Sequence, residues 1–138
     1  MRYFCPRCWA DFAEDLATCS RCGADIHAFW NSKDMVEKLI LALNHAEPET
    51  PIRAAWILGQ RREVGAAQAL AALVRRTRDV YVAIAAVEAL VKIGTPEALG
   101  FLRTFSVYPA RMVREAAQEI LRQHEAEPAA HEDQEDRV

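Results

Sequence analysis

Four cysteines near the start of the chain are the residues whose type and spacing best suit chemistry. They form two Cys-x-x-Cys pairs, CPRC at 5–8 and CSRC at 19–22, with ten residues between the pairs. Each pair can curl its backbone around an ion so that both sulfurs point to it, and two pairs complete a tetrahedron. Four thiolates leave no open coordination position. The pattern therefore predicts a structural metal ion held by Cys5, Cys8, Cys19 and Cys22.

The segment around these pairs is too small to fold on apolar burial alone. About 25 residues bury little apolar surface, so we expect ion binding to supply most of the folding free energy. The predicted cover over the site consists of Tyr3, Phe4, Phe12 and Ile26. In a reducing compartment such cysteine pairs hold metal more often than they form disulfides. A thioredoxin-like role would need a βαβ setting, and no strand pattern supports one here.

The stretch from Tyr3 to Ile26 resembles a zinc ribbon, with C-P-x-C first and C-x-x-C-G second. Trp9 stands where such ribbons usually have glycine after the first pair. The resemblance implies structural Zn²⁺. Rubredoxin-like modules have comparable cysteine pairs, so iron is the alternative. Against iron, such modules in peroxide-handling proteins accompany a di-iron bundle built from Glu-x-x-His motifs, and this sequence contains none.

The four histidines do not extend the site. His27 lies five residues past Cys22 and could replace a cysteine as ligand, but four sulfurs already fill the shell, so we predict a surface position. His45, His124 and His131 share no spacing, and none is predicted to act as a catalytic base. A Gly-rich phosphate loop and a nucleophile paired with a base are also absent from the sequence. We therefore predict that the protein is not an enzyme.

Residues 79–105 read as two helices joined by a tight turn. Asp79 caps a helix that is apolar nearly all round, and Gly94 supplies the left-handed residue that ends it. Thr95 caps the next helix, and Pro96 takes its first position, where a missing N–H costs nothing. A pair of helices this short and apolar needs similar pairs stacked on both sides.

Similar pairs occur before and after it in the sequence. A shift of 32 residues aligns Ala54 with Ala86, and a shift of 31 aligns Ala86 with Ala117. This period predicts a helical solenoid with alanine where helices approach closely. The segment VAIAAVEALVKIGTPEAL at 82–99 resembles a HEAT repeat of the bacterial kind first noted in phycobilin lyases. The resemblance covers Glu47 to Gln123 and implies an α-solenoid, although the first repeat has QRRE at 60–63 where the pattern has Ile-Gly-Asp.

We therefore predict a mainly α protein, a short α-solenoid of HEAT-like helical hairpins with a small N-terminal zinc-ribbon module. The predicted parts are a four-cysteine metal module (1–28), the solenoid (29–125) and a disordered acidic tail (126–138). Within the solenoid we expect a capping helix at about 33–44, repeats at about 47–77 and 79–105, and a half repeat at 109–124. Asn31 or Ser32 should cap the first of these helices. Phe29 and Trp30 should wedge the metal module against it. Trp56 should pack in the core, and the alternative is a position on the concave surface where it could contact a partner.

Charge is unevenly distributed along the chain. Residues 51–123 carry eleven basic and six acidic side chains, whereas residues 124–138 carry one and six. The sequence allows five arginines to cluster along one edge of the solenoid, as a basic surface or as an ordinary solvated edge: Arg61, Arg62, Arg75, Arg76 and Arg78. With nucleic acid as partner, this edge would contact phosphates and the zinc ribbon would add a second contact.

The function predicted from these features is a non-enzymatic protein-protein interaction or scaffold module with a structural zinc site. Nucleic-acid binding is the alternative. A lyase-type HEAT protein ranks lower, since fewer than three full repeats offer little concave surface to enclose a bilin. No apolar run approaches membrane-spanning length, and the first residues lack the features of a secretory signal. We therefore expect a cytoplasmic location and no membrane partner.

Overall fold

The computed structural model describes residues 2–126, which form two short strands, seven α-helices and one 3₁₀ turn. The predicted acidic tail lies outside the described residues, except for Ala126. No helix among the described residues is long and apolar enough to cross a membrane. The elements in chain order are β1 (Tyr3–Phe4), β2 (Asp11–Phe12), α1 (Ile26–Asn31), α2 (Met35–Ala42), α3 (Glu49–Gln60), the 3₁₀ turn (Val64–Ala66), α4 (Ala67–Arg76), α5 (Val80–Ile93), α6 (Pro96–Phe105) and α7 (Arg111–Ala126).

The helical hairpin of the second repeat begins and ends at the predicted residues. The Asp79 carboxylate accepts hydrogen bonds from the backbone N–H groups of the first turn of α5. Gly94 follows α5 in the left-handed conformation, with φ of 66°. The Thr95 hydroxyl accepts a hydrogen bond from the Ala98 N–H, and Pro96 opens α6. Local capping chemistry thus fixes both helices and the turn between them.

The segment before the repeats differs from the prediction. Asp34 caps α2, its side chain accepting a hydrogen bond of 2.8 Å from the Glu37 N–H. Neither Asn31 nor Ser32 has that role, because both lie at the end of a separate short helix, α1, which is capped by Asp25. Two aspartates nine residues apart therefore begin two helices where one was expected.

The helices of the repeats stack in two layers. Helices α3, α5 and α7 pack side by side, and α4 and α6 cover them on one side. The aligned alanines Ala54, Ala86 and Ala117 are all buried at these contacts. The exposed side chains of α7 are mostly polar, with Met112 as an exposed apolar residue. The architecture is therefore the predicted mainly helical solenoid.

The turn of the first repeat places a left-handed residue where the second has glycine, with a different pattern of hydrogen bonds. Arg62 lies 32 residues before Gly94 and has a positive φ of 52°. The Glu63 N–H donates to the Leu58 carbonyl at 3.1 Å, and the Arg62 N–H donates to the Gly59 carbonyl at 3.0 Å. These two bonds form a Schellman motif. An arginine thus occupies a left-handed position that favours glycine.

Trp56 is exposed, so the prediction that it packs in the core was wrong. Helix α3 buries Ala54, Ala55 and Leu58, whereas Trp56 lies on the opposite face and is 58% exposed. Its neighbours on that face include Arg53, which is also exposed. Among the described residues, no element covers this face of α3.

Candidate metal centre

The first cysteine pair lies in a tight loop between β1 and β2. The two strands are antiparallel, with Tyr3 opposite Phe12. Within the loop, the Trp9 N–H donates to the Cys5 carbonyl at 2.8 Å, and the Cys5 N–H donates to the Ala10 carbonyl at 2.9 Å. These bonds curl the backbone so that the sulfurs of the pair lie on the same side.

The second cysteine pair repeats this loop fourteen residues later. The Gly23 N–H donates to the Cys19 carbonyl at 2.9 Å, and the Cys19 N–H donates to the Ala24 carbonyl at 2.8 Å. Thr18 and Asp25 form an isolated antiparallel β-bridge beside this loop. The sequences of the two loops show the same relationship, since CPRCWADF at 5–12 aligns with CSRCGADI at 19–26. This internal repeat was missed in the sequence analysis, although it predicts two loops of one geometry.

Trp9 adopts the left-handed conformation that glycine takes in the second loop. Its φ is 59°, against 79° for Gly23. The Trp9 ring lies against the ring of His45, with centroids 5.0 Å apart, and Phe4 packs edge-on against the same histidine at 4.2 Å. His45 follows helix α2, so these contacts join the first loop to the solenoid. The side chain of Trp9 thus has a packing role that glycine could not fill.

The two loops bring all four sulfurs together. The four Sγ atoms lie within 4.8 Å of one another. The Sγ atoms of Cys5 and Cys22 are 3.6 Å apart, and those of Cys8 and Cys19 are 3.7 Å apart. A tetrahedral ion with metal-sulfur bonds of about 2.3 Å would separate its sulfurs by about 3.8 Å. The spacing therefore fits one four-coordinate ion.

Backbone N–H groups favour the thiolate form of Cys19. Burial by itself opposes ionisation, but hydrogen bonds of 3.3 Å each from the Cys22 and Arg21 N–H groups lower the pKa of Cys19 to about 6. At Cys22 the Ala24 N–H favours the thiolate, yet burial and the neighbouring sulfurs raise the pKa to about 11. Four thiolates this close repel one another, and a divalent cation would offset that repulsion.

The cover over the cysteines differs from the predicted one in part. Phe12 and Ile26 pack against the cysteines as expected, and Trp30 joins them from α1. Phe4 instead contacts His45, because alternate residues of a strand point to opposite faces. Phe29 packs edge-on against Trp30, with centroids 5.4 Å apart.

His27 lies on the surface, as predicted. Its Nε2 atom pairs with the Asp15 carboxylate at 2.9 Å, and both side chains are largely exposed. Within residues 2–126, the four cysteines are the only group of three or more His, Cys, Asp or Glu side chains close enough to share an ion.

The five arginines do not form one basic edge. Arg61 and Arg62 precede α4, whereas Arg75 and Arg76 end it, and a ten-residue helix separates its ends by about 15 Å. Several of these arginines already have partners. Arg61 pairs with Glu63 at 3.0 Å, Arg75 lies over the Phe101 ring at 5.6 Å, and Arg76 donates to the Leu43 carbonyl at 3.3 Å.

A family model describing HEAT repeats matches residues 36–122. Comparison with curated proteins gave no match, and neither did comparison with solved structures. The matched region begins in α2 and ends in α7, so it covers the stacked helices and excludes the cysteine loops. Since it spans more than half of the chain, this protein belongs to the HEAT-repeat family.

Proposed function

We propose that this protein is a non-enzymatic protein-interaction module of the cytoplasm, with one structural zinc ion held by Cys5, Cys8, Cys19 and Cys22. The observation that carries the proposal is the closed group of four sulfurs beside a HEAT-repeat surface. Four sulfur ligands leave no coordination position for a substrate. HEAT repeats offer extended surfaces that suit protein partners.

Zinc suits this site better than iron on chemical grounds. A tetrahedral set of four sulfurs accepts either metal, but closed Cys₄ sites are typical of structural zinc. A structural ion also fits the packing of the loops, because a fixed first loop holds the Trp9 ring against His45. When bound, zinc would hold the four thiolates together and stabilise the module.

The metal module extends the surface of the solenoid at its N-terminal end. Trp9 and Phe4 contact His45, which lies between α2 and α3. A partner seated on α2 and α3 would therefore meet the metal module as well. This placement supports a role for the module as a second contact surface.

The proposed function is tested by capture of partners from cell lysate on the immobilised full-length protein, with and without nuclease. We expect protein partners that remain bound after nuclease treatment. Partners lost with nuclease would contradict the proposal and favour nucleic-acid binding. The matched control is Cys19→Ser, which should keep the solenoid but loosen the metal module.

Direct binding measurements test the nucleic-acid alternative. The protein truncated after Gln123 should bind duplex and single-stranded DNA only at weak, non-specific levels at physiological salt, because the arginines lie at two ends of α4. Salt-sensitive, submicromolar binding that charge reversal at Arg75, Arg76 and Arg78 abolishes would contradict the interaction-module proposal.

A further inference from the structure

A pocket of about 420 Å³ lies between the metal module and the solenoid. The strands β1 and β2 contribute Tyr3 and Phe12, α1 contributes Trp30, and the solenoid contributes Ala42 from α2 and Thr50 from α3. Its walls therefore come from five elements of the two modules. A pocket of this volume is large enough to hold a ligand or a side chain of a partner.

The pocket is lined mainly by aromatic rings, none of them fully buried: Tyr3, Phe4, Trp9, Phe12 and Trp30. Two of these rings, Phe4 and Trp9, pack against His45. Among the described residues, no cationic side chain lies over the rings of Tyr3, Phe12 or Trp30. The face of an aromatic ring carries a negative potential that attracts a cation. We call this feature the aromatic pocket.

The charged side chains at the aromatic pocket leave a negative charge. Arg2 lines the pocket, but its Nε and Nη2 atoms both donate to the Asp11 carboxylate, which balances its charge. Asp15 also lines the pocket, and its partner at 2.9 Å is His27. A neutral imidazole does not cancel the charge of a carboxylate, so Asp15 gives the pocket a net charge of −1 at a pH where His27 is neutral.

The surrounding part of the chain is negative as well. Residues 1–50 carry five basic and eight acidic side chains. A bound Zn²⁺ with four thiolates would add two further negative charges. Phe12, Ile26 and Trp30 pack against the cysteines and also line the aromatic pocket, so this charge would lie directly behind one wall. Both the rings and the charges therefore favour a cationic ligand.

We infer that the aromatic pocket binds an arginine side chain of a partner protein. This inference rests on the proposed function and specifies its surface and ligand chemistry. The guanidinium group would lie against the aromatic rings and pair with Asp15 at the rim. Arginine suits an apolar lining better than lysine, because a guanidinium is planar, stacks on rings and is more weakly hydrated than an ammonium.

The protein's own C-terminal segment does not fit this description. Residues 127–138 contain one arginine, Arg137, but they also carry five acidic side chains. These acidic groups would be repelled by the negative charge of residues 1–50. The occupant is therefore a segment of another protein.

The test selects peptides from a phage-displayed library of random 12-residue sequences on the immobilised, zinc-loaded full-length protein. It is done at pH 8, above the usual pKa of histidine. The enriched sequences should share an arginine. Synthetic peptides with citrulline at that position keep the shape but lose the charge, and they should bind at least about tenfold more weakly. Lysine at the same position should also weaken binding.

Variants of the protein locate the binding site. Tyr3→Leu keeps an apolar side chain but removes a ring, and Asp15→Asn removes the charge, so each should weaken peptide binding about fivefold. Tyr81→Leu is the control for the ring, because Tyr81 is 69% exposed on α5 and does not line the pocket. Glu14→Gln is the control for the charge, because Glu14 is exposed beside Asp15 and does not line the pocket. Both controls should leave affinity unchanged.

Zinc content and thermal melting of each variant separate loss of binding from loss of folding. Folded, zinc-loaded Tyr3→Leu and Asp15→Asn that bind the selected peptides as tightly as the unchanged protein would overturn the inference. Equal losses with Tyr81→Leu and Glu14→Gln would overturn it too. A selection that does not enrich arginine, or a trimethyl-lysine peptide that binds more tightly than the arginine peptide, would overturn the assignment to arginine.

The lysate experiment distinguishes failure of this inference from failure of the proposed function. If Tyr3→Leu and Asp15→Asn capture the nuclease-resistant partners as well as the unchanged protein does, the interaction module stands and the aromatic pocket is wrong. Loss of these partners with both variants, but with neither control, would support the aromatic pocket as the contact surface.

Discussion

Gly59 on α3 packs directly against Ala89 on α5, so that a methyl group at residue 59 would lie 3.0 Å from the Cα atom of Ala89 and 3.2 Å from its Cβ atom. The closest atom belongs to the backbone of a buried helix and cannot rotate away. The separation of α3 and α5 therefore depends on the absence of a side chain at this position.

Gly59→Ala should destabilise the protein by up to about 2 kcal/mol. Alanine gains about 1 kcal/mol in helix propensity, but overpacking against a fixed backbone costs about 1–3 kcal/mol. The measurement is urea unfolding followed by circular dichroism. Gly100 is the control because it lies within α6 and nothing stands within 4 Å of its Cβ position. Gly100→Ala should therefore be stabilising, and a stabilising Gly59→Ala would show that the helices can move apart freely.

Arg62→Gly should stabilise the protein by about 0.5 kcal/mol. A non-glycine residue at positive φ costs roughly 1 kcal/mol, and the greater freedom of glycine in the unfolded chain offsets part of that gain. Unfolding should be measured in high salt, where lost charge interactions weigh less. Arg61→Gly is the control, since Arg61 has a φ of −79° and gains nothing from glycine. Equal effects of the two changes would contradict the explanation.

The metal centre gives a third prediction. The protein purified from rich medium should contain one zinc per chain, and Cys19→Ser should lower that content and loosen residues 3–26. The helical signal should stay near that of the unchanged protein, because the repeats bury their own core. Acidification should release the ion as the thiolates become protonated. His27→Ala serves as the control and should retain zinc. Iron in excess of zinc, with thiolate-to-iron absorption, would contradict the assignment.

Local features explain why much of the solenoid was predictable. Asp79, Gly94, Thr95 and Pro96 each determine the backbone within a few residues, so the limits of α5 and α6 follow from the sequence. Cysteine spacing is equally local, and it predicted that four sulfurs would meet. The start of α2 was harder to predict, because Asn31, Ser32 and Asp34 lie within four positions and each is a residue type that caps helices.

The features that were missed depend on neighbouring elements rather than on sequence spacing. The periodicity of α3 identifies its apolar stripe but not whether another helix covers Trp56. The contact of His45 with Phe4 and Trp9 joins residues more than 35 positions apart. No sequence pattern around His45 predicts this contact. The left-handed Arg62 was predictable in principle, because the 32-residue repeat aligns it with Gly94.

The contacts of His45 give the last prediction, which concerns the joint between the metal module and the solenoid. His45→Ala removes two ring contacts, each of which stabilises by about 0.5–1.5 kcal/mol in addition to the contribution of buried area. It also removes the hydrogen bond from the Glu47 N–H to the Nδ1 atom of His45. We expect the metal module to keep its zinc but to move more freely relative to the repeats. NMR relaxation of backbone amides measures this as a shorter rotational correlation time for residues 3–25, with the values for α3 to α7 unchanged.

The control for this change is His27→Ala. His27 is exposed, and its partner Asp15 belongs to the same module, so the two parts of the protein should continue to tumble together. If His45→Ala also leaves the correlation times equal, then Trp30 and α1 hold the module in place without the histidine.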